Sequence, residues 1–252
     1  MATLAIGDIH GNIAALSTLL ERIGTECGRG DTVVFLGDYI DRGPDSRGCL
    51  EAILQFRAGS PAEVVCLLGN HEEWLLDTEA DYSSHSWLLG MDGHDTIQSY
   101  SREADLALKR ARSTAGARVH GGRCELPYEL FFDVMPASHR AFFSALALGH
   151  ESAECLCSHA GVDPAIPGLA GQSPLVLVWG HSQFPEGYTG DLPIVYGHWN
   201  NGEAAEDGWA RPAVIGNTIG VDTSRYEVLS AVRMPDRQVF QSKGQETRSF
   251  TV

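Results

Sequence analysis

Seven polar residues stand at or just after the ends of short apolar runs: Asp8, His10, Asp38, Asn70, His71, His159 and His198. Thr3 to Ile6 runs into Gly7-Asp8, Thr32 to Leu36 into Gly37-Asp38, and Val64 to Leu68 into Gly69-Asn70. Cys155 to Cys157 runs into Ser158-His159, and Ile194 to Tyr196 into Gly197-His198. Carboxylate, amide and imidazole donors without a thiolate suit Mn²⁺, Fe, Zn²⁺ or Mg²⁺ better than a soft ion. The donors exceed what one tetrahedral ion needs and suit two ions that share a carboxylate. Any one of these endings is commonplace, because Asp and His are frequent in turns. The inference rests on five such endings in one chain.

The elements that must position these residues can be read from the same runs. Each run has strand length and is partly β-branched. Between the early ones lie helix patterns: Asn12 to Ile23, with Ile13, Leu16, Leu19, Leu20 and Ile23 at helical spacing, and Ser46 to Phe56. Alternation of strand and helix predicts an α/β architecture. In parallel-type sheets ligands gather at the carboxyl ends of strands, so residues far apart in the chain would converge there. The stretch from about 77 to 150 has few strand signals and predicts helices, among them Ser101 to Thr114 and Ala137 to Leu148. It reads as a largely helical insertion packed over the site, within a single domain spanning 1–252. Asp163 to Pro174 and Asn200 to Pro212 read as loops. Ile215 to Phe240 reads as consecutive strands with turns at Thr223–Arg225 and Pro235–Asp236.

Bulk properties bound the function. The 252 residues are 43% hydrophobic, enough for a sizeable core, and carry a formal net charge of −15. Such a chain repels nucleic-acid backbones and anionic membranes on average, which argues against stable nucleic-acid binding. A phosphate-handling site in it needs local cations, from metal ions or arginines. No apolar run approaches the roughly 18 residues of a membrane span, and the N-terminus has no basic leader pattern. Six cysteines without a CxxC pair predict reduced, mostly buried thiols and a cytoplasmic location. Cys155 and Cys157 would share one face of a strand.

Gly7-Asp8-Ile9-His10-Gly11, Gly37-Asp38-Tyr39-Ile40-Asp41-Arg42-Gly43 and Gly69-Asn70-His71-Glu72 resemble the three signature motifs of the PPP-family metallophosphatases. That family includes serine/threonine protein phosphatases, their bacterial and phage relatives, and symmetrical diadenosine tetraphosphate hydrolases. His159-Ala160-Gly161 resembles its fourth motif, Gly197-His198 its fifth, and Val221-Asp222-Thr223 the segment before its closing strands. The resemblance implies a metallophosphoesterase (calcineurin-like) fold of two packed mixed β-sheets flanked by helices, with two divalent ions, Mn first and Fe, Zn, Mg or Ni as alternatives. It implies that Asp8 and His10 bind the first ion, that Asp38 bridges both, and that Asn70, His159 and His198 bind the second. His71 would be the general acid, oriented by Asp41, and Arg42 would hold phosphate oxygens alongside Asn70.

These roles make physical sense. A bridging carboxylate keeps two cations roughly 3.5–4 Å apart, and a bound water's pKa can fall to about 7. An imidazole paired with a carboxylate is held in one tautomer and can protonate a leaving alkoxide. Arginine matches two phosphate oxygens with its planar fork.

Three positions depart from the family pattern. Ala160 replaces a frequent glycine. Trp199 follows His198 where small polar residues are usual, and can wall the site, stack on a base or cover the core. His181, in Val178-Trp179-Gly180-His181, takes the place of a second phosphate-binding arginine, with Arg211 or Arg225 as other sources of charge. The leading expectation is a phosphatase for phosphoserine/phosphothreonine or small phosphate monoesters. The alternative is a symmetrical dinucleoside polyphosphate hydrolase or another phosphodiesterase. A binding module that has lost turnover would lack a ligand or the acid, and no such position is missing here. Oligomeric state is not legible.

Overall fold

The computed structural model describes residues 1–122, 124–200 and 202–252. The chain begins as expected, with β1 (Thr3–Ile6), α1 (Ile13–Gly24), β2 (Thr32–Phe35), α2 (Ser46–Gly59) and β3 (Glu63–Cys66). Six helices follow: α3 (Asn70–Ala80), α4 (Ser86–Gly90), α5 (Gly93–Tyr100), α6 (Arg102–Ala115), α7 (Glu129–Phe132) and α8 (Ala137–Ser144). Next come β4 (Gly149–Glu151), β5 (Leu156–Ser158), α9 (Pro174–Trp179) and β6 (Ile194–Tyr196). Then come β7 (Glu203–Ala204), β8 (Ala210–Arg211), β9 (Ala213–Ile215) and β10 (Thr218–Gly220). The described chain closes with β11 (Leu229–Met234), β12 (Gln238–Lys243) and β13 (Glu246–Thr251).

Local chemistry sets the first two helices. The Asn12 side chain accepts from the Ala15 N–H at 3.1 Å and starts α1. Asp45 does the same for Gly48 at 2.8 Å and starts α2. An N-cap of this kind is worth about 1 kcal/mol. Each helix then buries one stripe, Leu16, Leu19, Leu20 and Ile23 in α1, and Cys49, Leu50 and Ile53 in α2.

The strands form two mixed sheets. One has the order β13-β12-β11-β1-β2-β3, the other β4-β5-β6-β10-β9, and β7 pairs with β8 separately. In the first, β1, β2 and β3 run parallel, with Thr3 beside Thr32 and Thr32 beside Glu63. In the second, β5, β6 and β10 run parallel. Side-chain alternation sorts the core. Ala5 and Val34 face a layer shared with Cys157, Val195 and Ile219 of the second sheet. Leu4, Ile6, Val33 and Phe35 face the opposite way, in a cluster with the apolar stripes of α1 and α2 and with Trp87, Tyr128 and Phe131 of the helical stretch. Cys155 and Cys157 do share a face, with Sγ atoms 3.8 Å apart, and all six cysteines are free. No helix among the described residues is long and apolar enough to cross a membrane.

Three expectations are corrected. The helix expected over Ala137 to Leu148 stops at Ser144, because Ala147 instead bridges Leu67, exchanging hydrogen bonds with Cys66 and Leu68 at 2.9 and 2.8 Å. The loop expected over Asn200 to Pro212 contains the short β7–β8 pair. The closing strands extend past Phe240 to a further edge strand, β13, whose exposed polar alternation gives little apolar signal.

What the fold does for the chemistry is clearest at Glu72, in the first turn of α3. Its buried carboxylate accepts from the N–H groups of Asp38 and Gly69 through Oε2, at 2.9 and 3.2 Å. Through Oε1 it accepts from Tyr39 and Ile40 at 2.9 and 3.3 Å. One side chain thus ties the loop after β2 to the loop after β3. Burial and the nearby Asp38 push its pKa up to about 8, while the four N–H donors favour the ionised form.

Glu72→Gln turns an amide nitrogen toward two of these donors. At about 1–3 kcal/mol for each orphaned donor, the unfolding free energy should fall by about 2–6 kcal/mol. Urea unfolding measures this. Glu51→Gln, on the exposed face of α2, should stay within about 0.5 kcal/mol. Equal midpoints for the two variants would show that the tie carries no stability.

Candidate metal centre

All six parallel strands end on polar residues, and these meet. Asp8 follows β1, Asp38 follows β2, Asn70 follows β3, His159 follows β5, His198 follows β6 and Asp222 follows β10. The close approach requires glycine at specific points. A Cβ on Gly197 would lie 2.0 Å from Asp8 Oδ1. Gly37, at φ +110°, would place one 2.7 Å from the Gly69 nitrogen and 2.9 Å from the His159 ring. Strain is concentrated here too. His10, Asp38, Asp41, Arg42 and His198 all have positive φ, between 45° and 70°.

Asp38 is the centre of the group. Its Oδ1 lies 3.4 Å from His159 Nε2, and its Oδ2 lies 3.6 Å from His10 Nε2 and 3.8 Å from His71 Nε2. Two donor triads share it, His10–Asp38–His71 and Asp38–His159–His198, each with ligand atoms within 4.8 Å of one another. Two donors each about 2.1 Å from one ion stand about 3.0–3.6 Å apart at angles of 90–120°, close to what is observed. The first triad contains His71 rather than Asp8. Asp8 sits at the edge of the group, its carboxylate accepting from the His198 N–H at 3.0 and 3.1 Å.

Ring tautomers are set from behind. His10 Nδ1 donates to the Ile40 carbonyl at 3.0 Å and His159 Nδ1 to the Leu36 carbonyl at 2.9 Å. That leaves Nε2 of each ring with its lone pair facing the group. The His10 lone pair already meets a cation, accepting from Arg42 Nη1 at 2.8 Å. Asn70 Oδ1 lies 2.9 Å from His159 Nε2 and 3.1 Å from His198 Nδ1. Turned by 180°, the amide would donate to both rings and to Asp38. As it stands, an oxygen and the His159 lone pair converge, an arrangement that a positive ion between them stabilises.

The electrostatics point the same way. Burial opposes ionisation of Asp38, but the surrounding histidines hold its carboxyl well below the usual range. Burial lowers His10 to about 3 and His198 to about 4. An ionised carboxylate and neutral imidazoles are the forms that ligate metals. Burial, with Asp222 and Asp38 close by, raises Asp8. An ionised carboxylate beside one whose ionisation its neighbours oppose is a fitting place for divalent cations.

His71 is held differently. Its Nδ1 donates to Asp41 Oδ2 at 2.7 Å. Asp41 also accepts from Trp87 Nε1 at 2.9 Å and from Thr96 Oγ1 at 2.5 Å. Burial alone would lower the His71 pKa, but Asp38 and Asp41 prevail and raise it. Its Nε2 is buried and has no hydrogen-bond partner among the described residues.

Arg42 is exposed at the mouth. It lines a cleft of about 740 Å³ with Asp8, His10, Asn200, Arg225 and Lys243. His181 is not among the residues that line that cleft, and its Nδ1 accepts from the Gln183 N–H at 3.3 Å. Trp199 forms a wall. It stands edge-on to His198 with ring centroids 4.9 Å apart, donates to the Ala160 carbonyl at 2.9 Å, and remains 42% exposed. Trp179 lies on the other side of His198 at 6.4 Å.

Sequence reasoning assigned no role to Glu72, Trp87, Thr96 or Asp222. Glu72 had a signal, a glutamate three residues after a helix N-cap position. Asp222, which accepts from the Asn200 N–H at 2.6 Å, lay in a quoted motif. Trp87 and Thr96 had no local signal, because only the folded helices bring them to Asp41.

The chain is similar to known proteins. Serine/threonine-protein phosphatase 1 of Salmonella typhimurium is 40% identical over 101 residues, 39% of this chain and 41% of that protein. The symmetrical bis(5'-nucleosyl)-tetraphosphatase of Chromohalobacter salexigens is 46% identical over 76 residues, 30% of this chain and 26% of that protein. These matched segments cover less than half of either relative. The corresponding tetraphosphatase of a Janthinobacterium species is 26% identical over 96% of both chains. The solved structure of a cold-active protein-tyrosine phosphatase from a psychrophilic Shewanella shares the fold, with a TM-score of 0.52 and 14% identity over 98% of this chain and 80% of that one. The family described as calcineurin-like phosphoesterase matches residues 1–201. That span takes in every residue of the two donor triads together with Asp8, Asn70 and the His71–Asp41 pair, and this chain is accordingly a member of the calcineurin-like phosphoesterase family.

Proposed function

We propose that the chain is a dinuclear-metal phosphatase that hydrolyses phosphate monoesters, on phosphoserine or phosphothreonine or on small phosphate esters. The observation that carries this reading is the sharing of Asp38 by two donor triads, one of which includes His71, whose Nε2 has no hydrogen-bond partner among the described residues and acts in this reading as the proton donor rather than as a ligand. Asp38 would hold both ions, Asp8 and His10 the first, and Asn70, His159 and His198 the second. Manganese is the metal we favour, since oxygen and imidazole donors without thiolate suit it. Bound there, the ions would neutralise phosphoryl oxygens and make water a nucleophile at neutral pH.

The chain's own residues do the rest. Asp41 fixes the Nδ1–H of His71, so any further proton sits on Nε2, facing the group, where a leaving oxygen can take it. Trp87 and Thr96 hold Asp41 in turn and keep its carboxylate oriented. Arg42 reaches from the cleft side and offers its fork to the phosphate. The six free cysteines support a cytoplasmic location.

A second reading, hydrolysis of a symmetrical dinucleoside polyphosphate, is favoured by the similarity to a tetraphosphatase along nearly the whole chain. Products separate the two. Inorganic phosphate from a monoester supports the first, and paired nucleoside diphosphates from a dinucleotide support the second.

Asp38→Ala should abolish hydrolysis of p-nitrophenyl phosphate and reduce the bound metal, measured after reconstitution and desalting, from two ions toward none. Retention of two ions would remove Asp38 as the shared ligand. His71→Asn should keep the metal content and lower kcat by about 10²–10⁴-fold, with a larger loss on alkyl than on aryl phosphates. Phenolates need less proton help, so equal losses would count against His71 as the acid. Trp87→Phe, which deletes one donor to Asp41, should reproduce that leaving-group trend at smaller amplitude.

A further inference from the structure

The cleft beside the metal centre inverts the charge balance of the chain. The protein has 33 acidic and 18 basic residues apart from histidine, yet the cleft is lined by three cations, Arg42, Arg225 and Lys243, against two acids, Asp8 and Glu227. Asp8 is buried at the metal cluster and 2% exposed, which leaves Glu227 as the only acid facing the outer cleft among the described residues. The three cations come from three separate segments: the loop after β2, the turn after β10 and the end of β12. Arg225 is exposed and makes no hydrogen bond or ion pair among the described residues. Lys243 donates to the Gly208 carbonyl at 2.8 Å, a neutral partner that steadies the ammonium without cancelling its charge.

Arg42 belongs to the reacting phosphate in the reading above, and one phosphoryl group does not need the other two cations. We propose that Arg225 and Lys243 form a second anion subsite that binds a phosphoryl group of the substrate beyond the one attacked, with Glu227 limiting its strength. This rests on the phosphatase reading and narrows it to esters that carry more than one phosphoryl group. A volume of about 740 Å³ is that of a small-molecule pocket. In a chain of net charge −15, a cationic cleft also concentrates a multiply charged anion more than a singly charged one.

The test compares kcat/KM for ATP, p-nitrophenyl phosphate and a singly phosphorylated acidic peptide on the metal-reconstituted protein. Arg225→Gln should lower the ATP to p-nitrophenyl phosphate ratio about 10-fold or more, the range of one charge-assisted contact. Glu227→Gln should shift the ratio the other way. Both variants lie at exposed positions, and opposite shifts cannot come from a general loss of folding. An unchanged ratio in both, with p-nitrophenyl phosphate still hydrolysed, overturns the subsite and leaves the phosphatase reading standing. A loss confined to the peptide overturns it in favour of peptide binding. Absence of p-nitrophenyl phosphate hydrolysis by the unsubstituted protein would instead remove the phosphatase reading itself.

Discussion

Burying the Asp38 carboxylate, which is 2% exposed, costs several kcal/mol unless opposite charge and hydrogen bonds compensate. Part of that compensation comes from His71, whose ring, with its raised pKa, stands 3.8 Å from Oδ2 and whose backbone N–H donates to Oδ1 at 3.2 Å. The His10 and His159 nitrogens, 3.6 and 3.4 Å from the carboxylate, face it with lone pairs, a set of donors that cations would stabilise. Each of those rings is anchored in turn, His10 on Ile40, His159 on Leu36 and His71 on Asp41. The loops are therefore built outward from one charge, and the tie through Glu72 keeps two of them in register.

The backbone bears a cost for this arrangement. Nine non-glycine residues among those described have positive φ, and five of them are His10, Asp38, Asp41, Arg42 and His198. Each such conformation costs on the order of 1–3 kcal/mol and persists only where the surroundings over-determine it. Here the over-determination is visible. The N–H groups of Ile9 and His10 both donate to the Asp38 carbonyl, at 3.0 and 2.9 Å, and that of Asp41 donates to Thr96 Oγ1 at 2.9 Å. Stability made in the two apolar layers is spent at the edge where the chemistry sits.

Much of this was legible in the sequence, for a physical reason. Strands buried on both faces are short apolar runs, and a ligand must follow such a run if it is to stand at the sheet's carboxyl edge. The runs ending at Gly7-Asp8 and Gly197-His198 could be read one by one, and β1 and β6 fall on Thr3–Ile6 and Ile194–Tyr196 as expected. Other features were not legible because their causes are not local. α8 ends early because Ala147 pairs with an edge more than 70 residues upstream. β13 alternates exposed polar residues and carries almost no apolar signal. Trp87 and Thr96 meet Asp41 only through tertiary packing, and the basic cleft gathers Arg42, Arg225 and Lys243 from distant turns.

The two sheets each contribute three parallel strands to one edge, and β1 sits between β2 and the late strand β11. No contiguous fragment shorter than residues 8–198 holds the donor set. In a small zinc-binding module, by contrast, the ion drives folding. Closing contacts across most of the sequence is slow and comes late in folding. A chain emerging from synthesis therefore offers the surrounding pool of metals only scattered side chains. If Asp38 and its neighbours hold ions, selection among those metals would fall to the finished pocket rather than to the order in which ions are encountered.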